Sequence, residues 1–432
     1  ASLRFLIKFD IISAMQKTTK GRVSLLIGQF CETYPPALDG VGRVMLAYCQ
    51  TLEQMGHRCL YIAPLDTDRT LTTDCETLLY TGMPIPGERY RIGVPGWSRG
   101  YRKAARELPF DLVHIHSPFL AGRAARRIAR RRHIPMVATF HSKFYDDFYR
   151  ATHSVLLSKL ALRYVLALYR SCDEVWAVNA KTAQVLRDYG YEGEIVIMPN
   201  GTNPQSVTED EYADAMARFP LREGIPTFLF VGQLDIKKNT ESILRACALI
   251  QQRGIDFQLL MVGCGQDEQR LRTLSRQLGL EEKVSFTGFL GDRSQTLSLY
   301  RRADLLVFPS VYDNAPMVVR EAAAMGTPAL LVEGTCSAEG VVHGENGFLC
   351  QNTVESIAEG ILNALPAAKE VGERARQTIP IPWDRIMSEV VMRYNQLCAQ
   401  KRGTKRQTAG RRRVASPRTH SFSRGKRMGG KG

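Results

Sequence analysis

The chain has 432 residues, 44% of them hydrophobic and 23% charged, a balance that excludes a largely disordered protein at a length too great for one ordinary core. Its formal charge of +15 sits at the ends: twelve Lys and Arg with no acid follow residue 400, and residues 1–22 add a net +4. Residues 23–400 are therefore close to neutral at −1, which points away from a nucleic-acid-binding body, and ten scattered cysteines with no Cys-x-x-Cys pair point away from a zinc site and toward reduced thiols in a cytoplasmic setting.

Residues 3–15 form a short apolar stretch, but Lys8 and Asp10 interrupt it and it is too short to span a bilayer, so residues 1–22 read as an N-terminal extension. From Val23 onward, apolar runs alternate with segments of helical period, the pattern of βαβ units around a parallel sheet. Strands are expected at 23–30, 59–63, 112–116, 136–140 and 174–178, with helices at 41–55, 120–132 and 155–169. The polar, turn-rich stretch 206–226 reads as a linker region. A second series then gives strands at 227–231, 258–262, 284–286, 305–308 and 329–332, separated by helices beginning near Asn239, Asp267, Ser294 and Met317. The reading is an α/β fold of two doubly wound domains, 23–205 and 227–380, followed by a helix within 381–400 and a disordered basic tail over 401–432. Ligands of doubly wound folds sit at the carboxyl ends of the strands, so a cleft between the domains is the expected site.

The most specific segment is Pro309-Ser310-Val311-Tyr312-Asp313-Asn314-Ala315-Pro316, followed by a helix that carries Arg320 and Glu321. A strand end, a loop of backbone amides and a helix N-terminus suit an anion, while carboxylates suit hydroxyl groups, and polyol plus phosphate means a nucleotide sugar. Phe230 to Asn239 opens the second series with Gly232, Gln233, Lys237 and Lys238 after a strand. In the first series, Asp39-Gly40-Val41-Gly42-Arg43 stands between strand and helix, where glycines let backbone approach a ligand closely. Thr139-Phe140-His141-Ser142 follows another strand end, and His114 and His116 alternate on the strand before it. No Gly-x-Gly-x-x-Gly follows the first strand, which argues against a nicotinamide dehydrogenase.

These motifs, in this order from about Val23 to Gln400, resemble glycosyltransferase family 4, retaining enzymes of the GT-B fold with two Rossmann-like domains facing across a cleft. The resemblance implies that Asp313 faces the donor hexose, that Glu321 holds the nucleotide ribose, and that Lys238 neutralises the donor diphosphate. It places Gly40, Gly42 and Gly263 close to the donor, Asn314, Ala315 and Pro316 in its loop, and His141 beside the transferred hexose. It matches Asn200-Gly201 and Gly263-Cys264-Gly265 to family loops and takes the helix near 383–398 back onto the first domain. Two departures stand out: Asp313 and Asn314-Ala315-Pro316 replace the commoner Glu and Gly-Phe-Gly, and Gln233 replaces an arginine, leaving Lys238 or Arg320 a larger share of the phosphate charge.

The resemblance further implies same-face attack with the donor phosphate assisting, no cofactor, and no metal, since no Asp-x-Asp stands at a strand end. UDP-glucose is the favoured donor, GDP-mannose the alternative, and the acceptor a lipid or a saccharide. His116-Ser117-Pro118-Phe119 and Thr139 to Phe144 look like those of bacterial members that glycosylate diacylglycerol. With the basic helix carrying Arg123, Arg126, Arg127, Arg130, Arg131 and Arg132, this implies peripheral association with the inner face of a membrane. Binding of nucleic acid through the tail is the rival class, and tail truncation separates the two.

Overall fold

A computed structural model describes residues 24–34, 40–65, 74–84, 91–202 and 206–414. The first half contributes β1 (Leu26–Phe30), β2 (Arg58–Pro64), β3 (Thr77–Tyr80), β4 (Gly82–Pro84), β5 (Arg91–Gly93), β6 (Leu112–Ile115), β7 (Met136–Phe140), β8 (Glu174–Ala177) and β9 (Ile195–Ile197). The second contributes β10 (Thr227–Val231), β11 (Gln258–Val262), β12 (Val284–Gly288), β13 (Leu305–Val307), β14 (Ala329–Val332) and β15 (Phe348–Cys350). Apart from the β4-β5 ribbon, they form two parallel sheets, ordered β3-β2-β1-β6-β7-β8-β9 and β12-β11-β10-β13-β14-β15. Strand order reverses between β1 and β6 and between β10 and β13, and a doubly wound sheet opens its ligand crevice at that reversal.

Period two explains how the first sheet is covered on both faces. Leu26, Phe30, Val113, Ile115, Met136, Ala138 and Phe140 pack into one core with the helices Leu120–Arg132 and Val155–Tyr169. The alternate residues Ile27, Leu112, Val137 and Trp176 pack into another with the helix Gly40–Gln54 and the closing helix Trp383–Val414. The same alternation turns Gln29, His114 and Thr139 to the closing-helix side, where the sheet keeps its buried polar groups.

The closing helix does cross back, contributing Trp383, Met387, Val390 and Tyr394 to the first-domain core. Gly201 is required by that contact, because a Cβ there would lie 2.4 Å from the Trp383 ring. The helix also runs beyond the expected 381–400 to Val414, with Lys401 paired to Asp173 at 2.7 Å and Arg402 to Asp111 at 2.9 Å. The tail reading over 401–432 is corrected to that extent, since basic residues with acidic partners continue the helix; residues 415–432 lie outside the described residues, as do the calls on residues 1–22 and on Asp39.

The expected linker 206–226 is also corrected. Thr208 and Glu211 form a capping box that starts the helix Glu209–Arg218. That helix packs on the helix Arg293–Arg302 through Arg301 to Glu209 at 2.9 Å and Arg218 to Gln295 at 3.1 Å, while Met216, Phe219 and Leu221 join the second core. Its polarity is that of an amphipathic surface helix.

Candidate active site

At the end of β10 the chain turns through Gly232, and the loop after β11 presses against that turn. A Cβ on Gly263 would stand 1.9 Å from the Gly232 carbonyl oxygen, and one on Gly265 2.2 Å from the Leu234 oxygen. Gly263 also holds φ at +129°, a conformation other residues rarely adopt. The glycines therefore set how closely two strand-end loops approach. Gly263→Ala is expected to destabilise the fold by more than about 2 kcal/mol, read as a lowered denaturant midpoint in the purified protein.

Asp235 caps the short turn Ile236–Lys238 by accepting from the Lys237 amide at 2.9 Å, and this places Lys238 over the loop after β13. The Lys238 ammonium donates to Asp313, which also accepts from the Ser310 hydroxyl. Both members of the pair are mostly shielded, with side-chain exposures of 14% and 18%. The carbonyls of the loop are tied down by Ser337 to Asp313 at 2.9 Å, Asn179 to Asn314 at 2.8 Å and Asn200 to Ala315 at 3.3 Å. Pro316 then caps the helix Met317–Ala324 without a side-chain bond, which leaves first-turn amides aimed out of the helix. Buried Asn314 uses its amide nitrogen on the His141 carbonyl at 2.6 Å, and its Oδ1 has no partner, an unsatisfied acceptor in the loop.

One turn into that helix, Glu321 is almost fully buried. Arg293 reaches one carboxylate oxygen at 3.0 Å and the Tyr300 hydroxyl donates to the other at 3.4 Å. A carboxylate has about four lone-pair sites, so two such contacts leave acceptor capacity for hydroxyl groups.

From the first domain, the segments after β7 and β8 meet this surface. Lys143 donates to the Val311 carbonyl at 2.9 Å, the Tyr312 hydroxyl to Asp147 at 2.6 Å, and the Ala180 and Lys181 amides to Glu339 at 2.7 Å. His141 Nε2 lies 3.0 Å from His116 Nδ1, and His116 Nε2 lies 2.9 Å from the Gln29 oxygen. His141 keeps part of its surface exposed, yet the dense protein around it lowers its pKa to about 3. Burial, with like-charge repulsion from the neighbouring imidazoles, holds His114 and His116 well below the ordinary value too. Glu32, which accepts from the Ala121 amide at 2.6 Å at the start of the helix Leu120–Arg132, is raised by burial to about 7.

These shifts have a sign. Unfolded imidazoles take protons below about pH 6.5 while the three folded ones do not, so their stabilisation is present above that pH and lost below it; raised Glu32 opposes them with one group. Unfolding free energy from urea titrations is expected to fall by up to about 3 kcal/mol per pH unit between pH 6.5 and 5. A flat profile there contradicts the neutral cluster.

The structure thus brings Lys238, Asp313, Asn314 and His141 together, with Ala315, Pro316 and Glu321 on the same loop and helix. Gln233 is exposed beside them, Gly40 is exposed at the start of its helix, and Gly42 is buried within it. Arg320 donates to the Ile379 carbonyl at 3.0 Å, so the cation on Asp313 is Lys238. Arg293, Asn179 and Glu339 were not foreseen; each acts across a fold contact that no local motif marks. Among the described residues, no group of three or more His, Cys, Asp or Glu is placed to hold a metal ion.

Comparison with known proteins agrees with the geometry. A family model described as Glycosyl transferases group 1 matches residues 212–378, and one described as Glycosyltransferase Family 4 matches residues 38–206. The chain is similar to the alpha-monoglucosyldiacylglycerol synthase of Streptococcus pneumoniae, 22% identical over 356 residues that cover 80% of each. It is also similar to a GDP-mannose-dependent alpha-mannosyltransferase of Corynebacterium glutamicum, 24% identical over 85% of this chain and 88% of that one. The crystal structure of Anabaena HepE in complex with UDP and glucose superposes with a TM-score of 0.70 at 18% identity, covering 86% of this chain and 100% of that one. At that identity the likeness establishes the fold, two facing Rossmann-like domains.

Proposed function

Since the chain belongs to the family 4, group 1 glycosyltransferases, we propose that it transfers a hexose with retention from a nucleotide sugar, UDP-glucose favoured, to a lipid acceptor. The observation that carries the donor half is the surface at the end of β13: a shielded Lys238-Asp313 pair, an uncapped helix N-terminus and a buried carboxylate within one loop and two turns of helix. Lys238 and the helix amides would take the diphosphate, Glu321 the ribose hydroxyls, and Asp313 with Asn314 Oδ1 the hexose hydroxyls. Neutral His141 would meet the hexose from the first domain. Charge grows on the departing diphosphate as the glycosidic bond breaks, so fixed donors at that point act on the transition state most. The reaction needs no metal in this reading, and product formation in excess EDTA tests it. Transfer from GDP-mannose rather than UDP-glucose would favour the kind of activity named for the Corynebacterium relative.

The acceptor half rests on a surface that differs from the expected basic helix alone. The helix Val155–Tyr169 buries one face but exposes Leu156 at 68%, Leu157 at 51% and Leu160 at 49%. Lys159 and Arg163 are exposed among them, and Arg123 of the helix Leu120–Arg132 lies 3.5 Å over the Tyr164 ring, so the basic and apolar helices form one face. Apolar side chains rimmed by cations suit an anionic bilayer. Among the described residues no helix is long and apolar enough to cross a membrane, so attachment would be peripheral. Leu156→Ser, Leu157→Ser and Leu160→Ser together are expected to weaken sedimentation with phosphatidylglycerol vesicles by about 10²-fold while soluble-donor hydrolysis persists. Unchanged vesicle binding would instead support a saccharide acceptor.

A further inference from the structure

We infer that Gln29, His116 and Tyr394 form a positioning chain that fixes the proton of His141 on Nε2 and leaves its Nδ1 a bare acceptor. The inference rests on the reading of His141 as the first-domain contact to the donor hexose, since a bare nitrogen accepts from a sugar hydroxyl where an N–H cannot.

The assignment follows from donor and acceptor rules along the chain. The Gln29 amide nitrogen donates to the Tyr394 hydroxyl at 3.3 Å, and its oxygen, which can only accept, lies 2.9 Å from His116 Nε2. The His116 proton is therefore on Nε2. A neutral imidazole carries one N–H, so His116 Nδ1 accepts, and its neighbour His141 Nε2 at 3.0 Å is the donor. Tyr394 closes the other branch. Having received from Gln29, it gives its own proton to His114 Nδ1 at 2.6 Å, and His114 Nε2–H then donates to Thr139 Oγ1 at 2.8 Å. Both ring nitrogens of His114 and of His116 then have a partner of the right kind.

The chain is well held. Gln29 and Tyr394 are fully buried, and His116 stacks on His141 at 5.3 Å between centroids. The titratable groups facing His116 are His114 on its own strand, His141 after β7 and Tyr48 of the helix Gly40–Gln54, with Tyr394 of the closing helix beyond Gln29. None is a carboxylate, so nothing along the chain draws a second proton onto His116. Turning the Gln29 amide over would reverse each proton and place one on His141 Nδ1. The Tyr394 hydroxyl can donate as well as accept, so its tie from the closing helix holds the Gln29 side chain in place, and the Gln29 amide orientation sets the tautomer at the site.

The test is ¹⁵N spectroscopy of the histidine rings joined to steady-state kinetics. Wild type is expected to show His141 as the Nε2–H tautomer. Gln29→Leu, folded by its melting temperature, is expected to lose that tautomer and about tenfold in kcat, with KM changed less than about threefold. Gln29→Glu keeps an acceptor for His116 but adds a charge that favours its protonation, so kcat is expected near wild type at high pH and to fall along a new limb as pH drops. A Gln29→Leu protein with the wild-type tautomer and kcat overturns the inference. Should that variant not fold, a Gln29→Glu profile identical to wild type overturns it equally. A His141→Ala enzyme of wild-type kcat would instead remove the underlying reading of His141, whatever the Gln29 variants do.

Discussion

Lys238→Ala is expected to lower kcat by about 10²- to 10³-fold, with a smaller change in KM, the size seen when one fixed donor to developing charge is lost. The ammonium stands on a short turn capped by Asp235, shielded from water and already facing an anion. Gln233 offers an amide where the family more often has an arginine, and Arg320 is bound to the Ile379 carbonyl, so Lys238 is the cation paired with Asp313. Lys238→Arg is expected to recover little, because a guanidinium is planar and longer and the pocket is built around a point charge. Asp313→Asn serves as the control for the pair: it frees Lys238 yet removes the carboxylate proposed to hold the hexose, so its loss should appear in both parameters. Rates from initial velocities at several donor concentrations separate these patterns.

Glu321→Ala is expected to lower kcat/KM by about 10²-fold or more, mostly through weaker donor binding. Hydrogen bonds from hydroxyls to a charged carboxylate are worth about 1.5–3 kcal/mol each, and two ribose hydroxyls would lose theirs. The substitution also leaves Arg293 and buried Tyr300 without their shared partner. The double variant Glu321→Ala with Arg293→Ala separates the effects: stability should return toward wild type while donor affinity, measured by calorimetry with UDP, stays low. Recovery of affinity in the double variant would mean that Glu321 serves the fold and not the ligand.

Much of this architecture was legible because the central parallel strands are largely apolar runs buried on both faces, several of them followed by Gly, Pro or Asn. The helix expected at 155–169 is present with those bounds. The eight-residue step from Asp313 to Glu321 was legible too, since both acids lie on one loop-helix segment. What failed had physical causes. The stretch 206–226 was read by composition, though Thr208 and Glu211 stand at capping-box spacing and mark a helix start. The closing helix runs past residue 400 with little apolar content because Asp111 and Asp173, far back in the chain, pair with its bases. The sequence marks 155–169 as a helix without saying which leucines it buries, and only the fold reveals that Leu156, Leu157 and Leu160 turn outward. Arg293 was invisible for the same reason: its partner lies 28 positions away on another helix.

The alternation of His114 and His116 was visible in the sequence, and period two places them on the face that carries Gln29. Their partner Tyr394 could not be read locally, because it arrives on a helix nearly three hundred residues later. Buried polar groups of this kind are specified by tertiary contact, and each is costly unless paired, which is why the chain from Tyr394 to His141 is complete.

The central claim is that the loop after β13 and its helix hold a nucleotide sugar for transfer. Consumption of UDP- and GDP-sugars by purified protein, with phosphatidylglycerol vesicles containing diacylglycerol and with EDTA, tests it most directly when wild type is run beside Glu321→Ala. The account predicts that wild type consumes one donor, UDP-glucose first, forms a glycolipid whose α-linkage follows from retention, and loses both activities in the variant. Equal consumption by the folded variant, or none of any donor by folded wild type, would contradict it.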